Sequence, residues 1–176
     1  MSGSDRISAY ADALFEVARA EGSLGRVEDE LFSVARTIET NDALRDALTD
    51  QAIPIERRQG IVEDLLGGRA SATTTALVGF VIAAGRARDL AKIIDRLVEK
   101  AAESRSEEVA EVRSAVPLDD DQRERLASAL SKHTGKKVSL KVVVDPSILG
   151  GIVAQVGDTV IDGSVRRRLE QLKEQL

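Results

Sequence analysis

The chain has 176 residues, with 25 lysines and arginines against 30 aspartates and glutamates, a net charge of −5, and enough apolar residues (43%) to fill one or two small cores. It has no cysteine, no tryptophan and a single histidine, His133, which excludes a thiolate nucleophile, a disulfide framework and a multi-histidine metal site, and leaves a serine triad one candidate base. Its four aromatic residues, Tyr10, Phe15, Phe32 and Phe80, lie in the first half, so the second half cannot supply a stacking platform for single-stranded nucleic acid.

The chain opens straight into a helical pattern, without the basic-then-apolar arrangement of a secretory leader. Ile7, Tyr10, Ala11, Leu14 and Ala18 repeat at the spacing of one helix face, with Ser4 or Asp5 as N-cap and Gly22 just past the end. A second helix runs through Leu24, Val27, Leu31, Val34 and Ile38 and ends at Asn41 and Asp42. A short third piece holds Leu44, Ala47 and Leu48. Pro54 opens a fourth helix carrying Ile61, Val62, Leu65 and Leu66, which Gly67 and Gly68 stop. The fifth falls in residues 70–85, the longest stretch without a charge; it contains Ser71 and three threonines and is short and polar for a bilayer span, so it reads as a buried helix. The sixth uses Leu90, Ile93, Ile94, Leu97 and Val98 and fades into a polar stretch ending at Glu108.

Beyond that stretch the period changes. Residues 109–115 form a predicted strand closed by Val116 and Pro117. Asp119, Asp120 and Asp121 then offset the positive end of a helix dipole, and that helix buries Leu126, Ala127 and Leu130 before ending near Gly135. Val138, Leu140, Val142 and Val144 alternate with Ser139, Lys141 and Val143 as a strand. Residues 152–156 and 159–161 read as a hairpin about Gly157 and Asp158, and Asp162 or Ser164 caps a last helix through Val165, Leu169, Leu172 and Leu176. The expected fold is mainly α: an N-terminal six-helix bundle over residues 1–105, followed by a small α+β domain with a short β-sheet over 106–176. Neither part is basic overall, with 14 basic and 18 acidic side chains in the first and 11 and 12 in the second.

Most candidate sites have bland explanations. Gly150 and Gly151 lack the Lys-Ser/Thr of a phosphate loop and suit a bend before the hairpin. His133, near a helix C-terminus, interacts well with the dipole, and no nucleophile or orienting carboxylate is marked beside it. The three aspartates lack the spacing and distal Glu of a calcium loop. Arg166, Arg167 and Arg168 fan around a helix and cannot form one clamp, so they suit a solvated face or an acidic partner.

The fifth helix is more informative. Leu77, Phe80, Val81 and Ala84 form a stripe for the core, while Thr75, Val78, Gly79 and Ile82 form a second stripe that is also uncharged. On the first helix, Ala9, Ala13, Val17 and Ala20 make a small-residue strip beside the core stripe. Such faces either receive another helix or are enclosed within the bundle.

The run YADALFEVA at 10–18, Glu21 with Gly22, and VEDEL at 27–31 resemble the opening of the delta subunit family of F-type ATP synthases, whose mitochondrial relative is the oligomycin-sensitivity-conferring protein. Gly85 and Arg86 with Leu90 resemble that family's break before its sixth helix. The run VDPSILGGIV at 144–153, followed by VGDTVIDGSVR at 156–166 and by Arg168 and Leu169, follows the family signature closely; Arg167 stands where many members carry a small residue.

The resemblance implies a non-catalytic connector, with no cofactor, no metal and no nucleic acid. Its N-terminal bundle would grip N-terminal helices of alpha subunits on the catalytic head, and its C-terminal domain would bind b-type subunits of the peripheral stalk. The head would thereby be held against rotor torque during proton-driven ATP synthesis. Such a protein would sit at the cytoplasmic face of a bacterial membrane, attached only through the complex. The alpha-subunit helix would lie between the first and fifth helices, against Ala9, Ala13, Val17, Thr75, Val78, Gly79 and Ile82. Leu149, Ile152, Val165, Leu169 and Leu172 would contact the stalk or support the hairpin. The competing reading from the residues is a helical adaptor whose tail contacts RNA through Lys136, Lys137, Lys141 and the arginine cluster, with steep salt dependence.

Overall fold

The computed structural model describes residues 3–148 and 150–163. Seven α-helices, a short 3-10 turn and a four-stranded sheet make up the regular structure of the described residues, so the protein is mainly helical with a small sheet. The chain divides into two compact units, Met1–Ala101 and Ala102–Leu176.

The first unit is built from α1 (Gly3–Ala20), α2 (Leu24–Thr40), α3 (Asp42–Thr49), α4 (Ile55–Leu66), α5 (Ala72–Ala83) and all but the last turn of α6 (Leu90–Ser104), which a 3-10 turn at Ala87–Asp89 precedes. The breaks follow local chemistry. Gly22 and Gly85 take φ of 66° and 71°, a left-handed backbone that glycine adopts without strain. Asn41 ends α2 and caps α3, its Oδ1 accepting the Leu44 amide at 3.0 Å. Pro54 supplies a fixed φ just before α4. The interior is apolar: Leu14, Phe15 and Ala18 of α1, Val27, Leu31, Phe32, Val34 and Ile38 of α2, and Leu90, Ile93, Ile94, Leu97 and Val98 of α6 are buried. Each buried Leu or Ile contributes roughly 1.5–3 kcal/mol relative to exposure.

Position and rotation of α5 are set by a residue distant in sequence. Glu30 Oε2 on α2 accepts the Ser71 amide at 2.8 Å, the Ser71 hydroxyl at 2.7 Å and the Thr74 hydroxyl at 2.6 Å, while Ser71 Oγ caps α5 by accepting the Thr74 amide at 3.2 Å. Its Oε1 accepts Arg26 Nε at 2.7 Å. Burial disfavours the Glu30 charge, but the hydrogen bonds from Thr74, Arg26 and Ser71 outweigh it and hold the carboxyl down at about 2. This contact turns Thr74 inward, and the buried face of α5 is Thr74, Leu77, Val78, Val81 and Ile82.

The second unit contains β1 (Glu108–Ser114), α7 (Asp120–Thr134), β2 (Val138–Val144), β3 (Ile152–Val156) and β4 (Thr159–Asp162), in the sheet order β2-β1-β3-β4. β1 and β2 are parallel and joined through α7, as a parallel pair requires; β3 runs antiparallel to β1 and to β4. Alternation puts Ala110 and Val112, Val138, Leu140 and Val142, Ala154 and Val156 on the face packed with Leu126 and Leu130 of α7. Asp119 caps α7 in a reciprocal pair: its Oδ1 accepts the Gln122 amide at 2.7 Å, and Gln122 Oε1 accepts the Asp119 amide at 3.0 Å. Gly135 ends α7 at φ 72°, and Gly150 and Gly151 bend the chain into β3 at φ 68° and 78°. The last helix expected from the sequence, with Val165, Leu169 and Leu172, lies outside the described residues, as do Leu149 and the three consecutive arginines.

Candidate partner-binding face

An exposed face without charge is a departure from how a surface helix is normally built, and α5 has one. With Thr74, Leu77, Val78, Val81 and Ile82 turned inward, the residues left outward are Ala72, Ala76, Phe80 and Ala83, with Thr75 and Gly79 half-buried along the edge. Phe80 is 52% exposed. A Cβ added at Gly79 meets nothing within 4 Å, so this mid-helix glycine faces open space. A Cβ at this position would touch no other element of the unit.

The neighbouring helix continues the face. α1 buries Ala11, Leu14, Phe15 and Ala18 and leaves Ala9, Ala13, Val17 and Ala20 exposed, Val17 by 44%. The Tyr10 ring of α1 lies 6.0 Å from that of Phe80, tilted by 48°, an arrangement in the favourable range for aromatic pairs. On its other side, α5 borders a groove of about 500 Å³ against α4, with Gln59, Val62 and Glu63 on one wall and Thr75, Ala76 and Gly79 on the other. The outer face of α5 and the adjoining strip of α1 present mostly small and aromatic residues, a shape that admits the close approach of another helix.

The sequence-derived set changes accordingly. Ala9, Ala13 and Val17 are exposed, and Thr75 and Gly79 sit at the accessible edge. Val78 and Ile82, at 1% and 0% exposure, belong to the core and cannot line an open groove, whereas Phe80 and Ala84, expected inside, are on the outside. The physical reason is that a helix without charge has no polar face to set its rotation. The Glu30 contact sets it instead, about a quarter-turn from the orientation that periodicity suggests. Tyr10, Ala76, Phe80 and Ala83 are the members missed. The available signal was Ser71 and Thr74, hydroxyls at cap spacing that call for an acceptor.

In the second unit Ile152 is half-buried against the core, paired with Ser114 in the sheet register. His133 is exposed in the last turn of α7, where its dipole contact is available. The three lysines offered for RNA are engaged or buried: Lys136 Nζ lies 3.2 Å from Glu108 Oε1, Lys137 Nζ lies 2.8 Å from Glu107 Oε1, and Lys141 is 5% exposed in β2; the arginine cluster lies outside the described residues. Burial raises the Glu107 pKa, but contacts with Lys137 and Arg105 override it and keep the carboxyl low. Among the described residues no group of three or more His, Cys, Asp or Glu side chains could hold a metal ion, and no helix is long and apolar enough to cross a membrane.

Residues 7–176 match the family described as ATP synthase delta (OSCP) subunit. The chain is 43% identical over 173 residues to the ATP synthase subunit delta of Streptomyces avermitilis, an alignment covering 98% of this chain and 63% of that protein. It is 38% identical over 176 residues to the same-named subunit of Salinispora arenicola, covering 100% of this chain and 64% of that protein. The chain thus spans less than two thirds of the length of these curated relatives. Its fold is similar to a chain in the cryo-EM structure of the Toxoplasma gondii mitochondrial ATP synthase hexamer, with a TM-score of 0.56 at 24% identity and 96% of each chain covered.

Proposed function

The chain belongs to the ATP synthase delta (OSCP) subunit family, and we propose that it acts as the non-catalytic stator link of an F-type ATP synthase. In this reading α1 to α6 form a six-helix bundle over residues 1–105 that grips the catalytic head. Residues 106–176 form the domain that meets the b-type peripheral stalk. The link transmits no chemistry and needs no cofactor. It resists rotation of the head while proton flow drives the rotor, at the cytoplasmic face of the membrane and attached through the complex alone.

The observation that carries the proposal is the uncharged outer face of α5, joined by the Tyr10–Phe80 ring pair to the small-residue strip of α1. An N-terminal helix of an alpha subunit would lie along it, with its apolar side against Ala9, Ala13, Val17, Thr75, Ala76, Gly79 and Phe80. Small residues let the two backbones approach, and the aromatic pair supplies the large desolvated contact that dominates such interfaces. Val78 and Ile82 support the face from beneath. In the second unit, Leu149, Val165, Leu169 and Leu172 remain the proposed stalk contacts, with Ile152 supporting the hairpin.

Titration of the chain and of a Gly79→Glu variant with a synthetic alpha-subunit N-terminal peptide tests the assignment. The added Cβ meets nothing within 4 Å, so the variant is expected to fold, as its helical circular dichroism checks, while the docking helix meets an unpaired charge. Affinity should fall at least about tenfold; unchanged affinity rejects the face.

A further inference from the structure

A second groove on the first unit is built from other elements and has the opposite character. It measures about 430 Å³ and lies between the end of α2, α3, the 3-10 turn and the start of α6. Ile38, Ala87 and Ala91 give it an apolar floor, the first two buried. Arg45, Arg88 and Lys92 surround that floor.

The charge on this rim is largely uncompensated. The side chains of Arg88 and Lys92 make no ion pair or hydrogen bond among the described residues. Arg45 gives Nη2 to Asp42 at 2.5 Å, which engages only part of a guanidinium with five N–H donors. The one acid lining the groove, Glu39, is held by Arg36, whose guanidinium also reaches Asp95 at 2.5 Å. Residues 1–105 are acidic overall, with 18 acidic side chains against 14 basic, so three cations around one apolar floor run against the composition of the unit.

We propose that this groove is a docking site for an acidic amphipathic helix of another protein. An apolar side chain of the helix would fill the floor over Ile38 and Ala91, and carboxylates one turn apart would reach Arg88 and Lys92. Those two cations are themselves four residues apart, which matches the i, i+4 spacing of paired acids on a helix. The apolar floor favours a peptide over a free anion, because an inorganic anion would gain nothing from Ile38, Ala87 and Ala91. The site is independent of the α1 and α5 face and stands or falls separately from the function proposed for it.

The test uses the full chain and two fluorescent helical probe peptides of alternating Leu and Ala, one carrying Glu at i, i+4 positions and one carrying Gln there. The Glu peptide should bind at least about tenfold more tightly than the Gln peptide, and its binding should weaken as salt rises. An Arg88→Glu/Lys92→Glu variant, altered only at exposed positions, should lose that preference while keeping its helical circular dichroism. Amide shifts on binding should appear at Ala87 and Ala91 and leave Gly79 unmoved. The proposal is overturned if the two peptides bind alike, if the double variant binds the Glu peptide as well as the parent does, or if inorganic pyrophosphate or a single-stranded RNA oligomer occupies the groove in preference to the Glu peptide.

Discussion

Tyr10 and Phe80, seventy positions apart in sequence, bring their rings within 6.0 Å of each other and join the outer faces of α1 and α5 into one surface. Phe80 is half exposed, so its side chain contributes less to the fold than a core aromatic does. Phe80→Ala should therefore lower stability by no more than about 1 kcal/mol, against roughly 3–5 for a buried Phe. The same change should weaken binding of an alpha-subunit N-terminal peptide by about 2 kcal/mol or more, as for an aromatic anchor at an interface. Chemical denaturation and calorimetric titration of the one variant separate the two effects.

Gly79 gives the complementary experiment. Gly79→Ala removes the cost of a mid-helix glycine and meets no neighbour within 4 Å, so thermal stability should rise by roughly 0.5–1 kcal/mol. If a partner backbone packs against this position, the stabilised variant should bind the peptide more weakly than the parent. A variant that is more stable and binds equally well would show that the glycine is not an approach site.

The Glu30 carboxylate makes the packing of α5 dependent on pH. Its carboxyl is held at about 2 against an ordinary value near 4.5, so the fold favours the charged form. The resulting stability is fully present above pH ~4.5 and is lost as pH falls toward 2; by linkage it amounts to roughly 3 kcal/mol. Glu30→Gln should be destabilised by about that amount at pH 7, and the gap to the parent should close in acid unfolding series below pH ~4.5. A gap that does not change with pH would assign the loss to packing and not to charge.

At the second unit, Asp119→Ala removes one half of the reciprocal cap on α7 and leaves the Gln122 amide without its acceptor. A loss of about 1 kcal/mol is expected by denaturant titration. Asp119→Asn should recover most of it, because an amide oxygen can accept the same bond.

Much of this architecture is legible in the residue order, for reasons that differ by element. Asn41, Pro54 and the glycines at 22, 85 and 135 interrupt the pattern through local backbone chemistry, so helix ends could be located without knowing what packs against them. The strand alternation from Val138 to Val142 likewise reports the apolar face that packs on α7. The orientation of α5 was not legible. Its residues are apolar all round, and the contact that turns it comes from Glu30, forty-one positions before Ser71, which periodicity treats as one more polar residue of α2. Val78 was consequently expected outside and Phe80 inside. Lys141 misled for a related reason: the strand pattern marks it as polar and half-exposed, whereas it is almost wholly buried.

As proposed, this chain couples the head of the synthase to its stalk and takes no part in the chemistry. Inverted membrane vesicles depleted of the protein, then supplied with it again, measure this directly. The account predicts that ATP hydrolysis by the head persists after depletion while proton-driven ATP synthesis fails, and that the intact chain restores synthesis where Gly79→Glu does not. Synthesis that survives depletion, or hydrolysis that is lost with it, would contradict the account.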